Sequence, residues 1–116
     1  MTDESVIPTA FDTFTFVILR MAPNPPVQSD DEAMAQQLAH LGFLKSLQEQ
    51  GKLLAAGPLL GQADESVRGI AFFSVPPDEV RALFEKDPHV VGGTMVVDVM
   101  EWMTPAGGVT FTPAWD

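Results

Sequence analysis

Leu53-Leu54-Ala55-Ala56-Gly57-Pro58-Leu59-Leu60-Gly61-Gln62-Ala63-Asp64-Glu65-Ser66-Val67-Arg68-Gly69-Ile70-Ala71-Phe72-Phe73-Ser74-Val75 is the stretch that decides the fold. It holds two short apolar runs, at 53–56 and 68–75, of strand rather than helix length, and the second is rich in aromatic and β-branched residues. The residues between them are turn formers and charges, which suits a hairpin loop longer than the tight two-residue type. The two strands are therefore expected to be antiparallel neighbours. Pro76-Pro77-Asp78-Glu79 follows at once, a proline-started and acid-rich first helical turn. Val80, Leu83 and Phe84 then fall at i, i+3 and i+4, predicting a short helix that ends before Pro88.

Working outward, Phe14-Thr15-Phe16-Val17-Ile18-Leu19-Arg20-Met21 reads as a strand, closed by the rigid loop Ala22-Pro23-Asn24-Pro25-Pro26. Ser29 and Glu32 fit a capping box, with the serine hydroxyl accepting from the Glu32 amide and the Glu32 carboxylate reaching back. Met34, Leu38, Leu41 and Leu44 continue at helical spacing, and Gly51 supplies a left-handed stop, so a helix is expected over 30–50. On the other side, Gly93-Thr94-Met95-Val96-Val97-Asp98-Val99-Met100-Glu101-Trp102 begins a last strand that ends near Thr104-Pro105, with Asp98 and Trp102 on one face.

The resulting order, βαββαβ, is the ferredoxin-like α+β arrangement: right-handed crossovers place both helices on one face of an antiparallel sheet. The other face is left uncovered. At about 25 cal/mol per Å² of apolar surface, covering several hundred Å² favours association by many kcal/mol before association costs, so a homodimer built on that face is expected. The domain is expected over 14–104, preceded by a flexible or edge segment at 1–13. An extension at 105–116 follows, in which Gly107 to Asp116 reads either as a turn with a short added strand or as a frayed end.

With 116 residues, 46% of them hydrophobic and 8 of them Phe, the chain holds one domain with one core. Sixteen acids against six bases give a net charge of −10, a field that repels phosphate backbones and anionic lipid, so neither nucleic acid nor membrane is an expected partner. Without cysteine there is no disulfide, thiolate metal site or thiol nucleophile. The opening Met1-Thr2-Asp3-Glu4-Ser5 lacks the basic and apolar runs of a secretory signal, and no stretch approaches a membrane span, so a cytoplasmic location is the default.

Three local patterns, taken in order and spacing, match one family. Leu38-Ala39-His40-Leu41-Gly42-Phe43-Leu44, then Gly51-Lys52-Leu53-Leu54-Ala55-Ala56-Gly57-Pro58-Leu59, then Phe84-Glu85-Lys86-Asp87-Pro88-His89-Val90 resemble the YCII-related proteins, the likeness running from about Phe14 to Trp102. The resemblance implies a ferredoxin-like domain forming a dimeric α+β barrel, with His40 and Asp87 as an active-site dyad. It also implies lyase-like or isomerase-like chemistry on small hydroxylated ring compounds. Two departures stand out: His89 occupies a position where relatives often carry an aromatic or aliphatic residue, and this chain has extra residues at both ends.

The residues themselves are compatible with that chemistry. His40 lies at the edge of the Met34-Leu38-Leu41-Leu44 stripe, about 100° of helical rotation from Leu41, where an imidazole can face a pocket between helix and sheet. An aspartate beside it would fix one tautomer and stabilise the imidazolium, and an imidazole with an ordinary pKa of about 6.5 shuttles protons near neutrality without metal or organic cofactor. Asp87 has a competing structural use, since an aspartate before proline commonly caps the turn that follows, here Pro88-His89-Val90-Val91. Arg20, at the end of the first strand, is a candidate grip for a substrate carboxylate or phenolate, against the plainer reading of a surface ion pair. His89 is a candidate second acid-base group or substrate contact, against the plainer expectation of a solvent-facing turn histidine, and the Ala56-Gly57-Pro58-Leu59 turn a candidate pocket wall. No ligand pair is spaced for a metal, and no cofactor is expected. The alternatives are a small-ligand-binding or scaffolding dimer without turnover, and a cofactor-independent oxygenase.

Overall fold

The structure, a computed structural model, describes residues 3–115; Met1, Thr2 and Asp116, parts of the two terminal segments, lie outside the described residues. Strand β1 (Phe11–Met21) is followed by helix α1 (Asp30–Glu49), strands β2 (Leu53–Pro58) and β3 (Val67–Phe73), helices α2 (Pro77–Phe84) and α3 (Pro88–Val91), and strand β4 (Met95–Pro105). The strands lie in the order β2-β3-β1-β4, every neighbour antiparallel, which is the ferredoxin-like α+β architecture. No helix among the described residues is long and apolar enough to cross a membrane.

β1 begins at Phe11, three residues before the expected Phe14, because Phe11 to Thr13 pair with Pro105 to Met103 of β4. Asp12 and Thr13 carry no strand signature of their own; a cross-strand partner orders them. The capping box is formed, Ser29 Oγ accepting from the Glu32 amide at 3.1 Å and Glu32 Oε1 accepting from the Ser29 amide at 3.4 Å.

Period-two alternation assigns β1 two faces. Thr15, Val17 and Leu19 point at the helices, where Val17 joins Leu53, Ala71, Phe73, Leu44, Leu47, Val80 and Phe84 in the core. Phe73 and Phe84 meet edge-to-face at 5.7 Å, locking α2 onto the sheet. Phe14, Phe16, Phe72 and Trp102 share the opposite face, with Phe16 and Phe72 5.2 Å apart and Phe72 and Trp102 5.4 Å apart.

The α1 stripe departs from expectation. Met34, Leu38 and Leu41 are 59%, 61% and 38% exposed, so that of the expected stripe Leu44 alone is buried, beside His40 and Leu47. A helix of this length spans about 30 Å, whereas six-residue β2 spans about 20 Å. Only the C-terminal half of α1 therefore has sheet beneath it, and its first turns meet α3 through polar groups instead. Beyond Pro105, the last residue of β4, the C-terminal extension forms no strand among the described residues. Phe111 instead packs on the open sheet face against Phe14 (5.1 Å) and Phe72 (5.5 Å). Four residues later Trp115 has crossed to the helix side, its carbonyl accepting from Gln48 Nε2 of α1 at 3.3 Å.

Candidate active site

His40 and Asp87 meet in the protein interior. His40 Nδ1 lies 2.6 Å from Asp87 Oδ1, and Asp87 is fully buried. Two local features bring this about. The Leu44 and Leu47 face of α1 docks on the core and carries His40, one turn before Leu44, inward with it. Asp87 stands at the N-cap position of α3, yet its side chain makes no capping bond and turns to the imidazole; the α3 backbone closes through its own Val91 amide to the Asp87 carbonyl at 2.8 Å. The capping use of this carboxylate is therefore not the one the fold adopts. Oδ2 has no hydrogen-bond partner among the described residues, so the imidazole is the carboxylate's one tether.

Nδ1 being taken, the other ring nitrogen of His40 has no hydrogen-bond partner among the described residues, and the ring forms part of a cavity wall. That cavity encloses about 550 Å³, the size of a small-molecule site. Leu19 and Met21 of β1, Leu41 and Leu44 of α1, and Met95 of β4 make it mainly apolar, and Ala56-Gly57-Pro58-Leu59 forms one side, as the sequence suggested. Gly69 makes that side close: a Cβ there would lie 2.9 Å from the Gly57 carbonyl oxygen, so β2 and β3 can approach only because the residue is glycine.

His89 packs against His40, ring centroids 4.6 Å apart and planes inclined at 53°, but both its nitrogens are in contact with protein: Nδ1 with Gln36 Oε1 and the Thr94 hydroxyl at 3.0 Å, Nε2 with Gln37 Oε1 at 2.7 Å. Burial, and secondarily the charge His40 can carry, hold its pKa below the ordinary 6.5, with Asp87 partly offsetting them. His89 thus supports the His40–Asp87 pair from behind and does not line the cavity. Arg20 is placed elsewhere too. It lies on the open sheet face, where its Nε donates to Asp98 Oδ2 at 2.6 Å with Asp64 3.7 Å away, a surface ion pair outside the cavity wall.

Gln37 and Arg68 are the cavity's polar residues that the sequence reading passed over, together with Gln62. Gln36 and Gln37 precede His40 by four and three residues, a helical spacing that could have flagged them. Arg68 carried no such signal, because alternation with Ile70 and Phe72 directs it to the open face. The register of β1 against β3 shifts at this point: Leu19 pairs with Gly69 and Arg20 with Val67, leaving Arg68 as the extra residue of a β-bulge. Its guanidinium lies 4.0 Å from Met21 Sδ, in the cavity wall.

Among solved structures, the chain resembles 5-chloro-2-hydroxyhydroquinone dehydrochlorinase (TftG) from Burkholderia phenoliruptrix AC1100 in complex with 2,5-dihydroxybenzoquinone, with a TM-score of 0.53 and 25% identity, covering 76% of this chain and 92% of that one. No curated protein sequence matches. The model of the YCII-related domain matches residues 15–103, which span both dyad residues and the cavity strands, and the chain accordingly belongs to the YCII-related family.

Proposed function

We propose that the chain is an enzyme of small hydroxylated ring compounds in which His40 moves protons and Asp87 orients it. The observation that carries this reading is the buried 2.6 Å contact between the two, at the wall of a largely apolar cavity, with the second ring nitrogen left to a ligand. The likeness to a dehydrochlorinase supports the same class of chemistry. His40 Nε2 accepts a proton from a ring hydroxyl and returns it to the ring carbon bearing the leaving group, turning enol into ketone. Departure of the leaving group from that saturated carbon, with loss of a second hydroxyl proton to solvent, gives a quinone. Asp87 keeps the proton on Nδ1 and stabilises the imidazolium formed in between. Gly57 and Pro58 act as cavity wall, and His89 supports the dyad without touching substrate. Two copies associate through the aromatic sheet face, with the chain acting as a homodimer in the cytoplasm.

The test is turnover of 5-chloro-2-hydroxyhydroquinone, followed as chloride release and quinone absorbance, by the wild type and His40→Gln. Release above the uncatalysed rate that the substitution abolishes is expected. Binding of the ring compound without release by the wild type would favour a ligand-binding module, and release unchanged by the substitution would remove His40 from the mechanism.

A further inference from the structure

We infer that Arg68 selects substrates carrying an anionic oxygen pair on the ring, either a carboxylate or the vinylogous carboxylate of an ionised hydroxyquinone. The inference deepens the proton-transfer reading above and rests on it for the site's identity. Three observations carry it. First, the chain holds sixteen acids and six bases, yet no aspartate or glutamate lines the cavity among the described residues; His40 and Arg68 are its two ionisable groups. Second, of the three arginines Arg20 and Arg81 each have a carboxylate within 4.0 Å, whereas Arg68, like Lys45 and Lys86 but unlike them in the cavity wall, has none among the described residues. A guanidinium spared from pairing in so acidic a chain keeps its donor fork for something else. Third, Arg68 is the extra residue at the bulge in β3, and bulges beside binding sites are a recurrent way to re-aim one side chain.

The surroundings fit a flat anion. Leu19, Met21 and Met95 offer an apolar bed, and the Trp115 indole stands in the same wall. A ring hydroxyl presented to His40 and an anionic pair held by the Arg68 fork define two points of attachment, which fix the ring's orientation in the plane. The arrangement also matches the product side of the proposed reaction. A hydroxyquinone is a vinylogous carboxylic acid, ionised at neutral pH, so elimination creates the kind of anion a guanidinium holds, and its charge develops as the leaving group departs.

The experiment is direct binding by calorimetry, independent of turnover, with three probes: 2,5-dihydroxybenzoate, 2,5-dihydroxybenzoquinone and neutral hydroquinone. The wild type is expected to bind both anions about tenfold or more tightly than hydroquinone. Arg68→Gln should lose about that factor for the anions and leave hydroquinone unchanged, with Arg68→Lys falling between because it keeps the charge and loses the fork. Retention of only one anion's preference identifies which of the two oxygen pairs the site takes. Equal affinity for charged and neutral probes, anion binding indifferent to Arg68→Gln, or failure of both anions to bind overturns the inference. Arg68-dependent binding without any turnover would instead overturn the proposed enzyme and leave the anion site standing.

Discussion

Replacing Asp87 by asparagine preserves shape and removes one charge, and the structure sets the size of the effect. The amide oxygen can still accept from His40 Nδ1–H across the 2.6 Å contact, so tautomer and ring position persist. What is lost is the attraction between carboxylate and imidazolium, two charges centred about 4 Å apart, worth about 4 kcal/mol at an effective dielectric of about 20. A neutral hydrogen bond of about 1 kcal/mol remains, leaving a deficit of about 3 kcal/mol. Because the proposed mechanism forms the imidazolium when His40 takes the substrate proton, the deficit falls on the transition state and intermediate. The expected result is a kcat lower by about a hundredfold with KM changed by less than about threefold. Steady-state kinetics on the chlorinated hydroxyhydroquinone measure both. Folding should suffer little, since a buried carboxylate with one tether is costly to desolvate; the melting temperature is expected to stay within about 5 °C. A kcat loss under about fivefold, or a loss carried by KM alone, refutes the orienting role.

Three more outcomes follow from particular contacts. Phe73→Ala empties a fully buried position against Phe84 and should cost about 3–5 kcal/mol in urea denaturation. Gly69→Ala forces a Cβ against the Gly57 carbonyl, separating β2 from β3 at the cavity wall; ligand affinity should fall about tenfold or more while the core-reporting circular dichroism spectrum is kept. His89 titrates below its ordinary 6.5 in the folded state, so unfolding takes up a proton once pH drops beneath about 6.5. Its contribution is present above that value and is lost as pH falls from there towards the depressed folded pKa. Melting curves between pH 7.5 and 5.5 should show this acid sensitivity, and His89→Gln should flatten it; an unchanged slope would show the ring to be ordinary.

Element identity was legible where an element has its own local signal, namely the capping box at Ser29 and Glu32, the prolines at the start of α2, and the β-branched and aromatic runs of β1 and β3; four-residue α3 read only as a turn after Asp87. What alternation and helical spacing could not convey was where one element runs out of partners. The Met34 and Leu38 stripe reads as core yet overhangs a short β2, and Asp12 and Thr13, read as part of a flexible or edge segment, are strand because β4 is long enough to pair them. The dyad came from a matched pattern of motifs, since no spacing rule links two residues 47 apart. The two arginines show the sharpest contrast. Arg20 obeys alternation and ends on the open face with Asp98, and Arg68 escapes it at a bulge whose one sequence signal is Gly69, an isolated glycine inside a strand pattern.

The strap that leaves Phe111 on one side of the sheet and sets Trp115 on the other has a practical consequence for anyone handling the protein. Removing residues 109–115 would strip Phe111 from the aromatic sheet face and Trp115 from the cavity wall in a single cut, so a trimmed variant made for crystallisation would alter both surfaces at once.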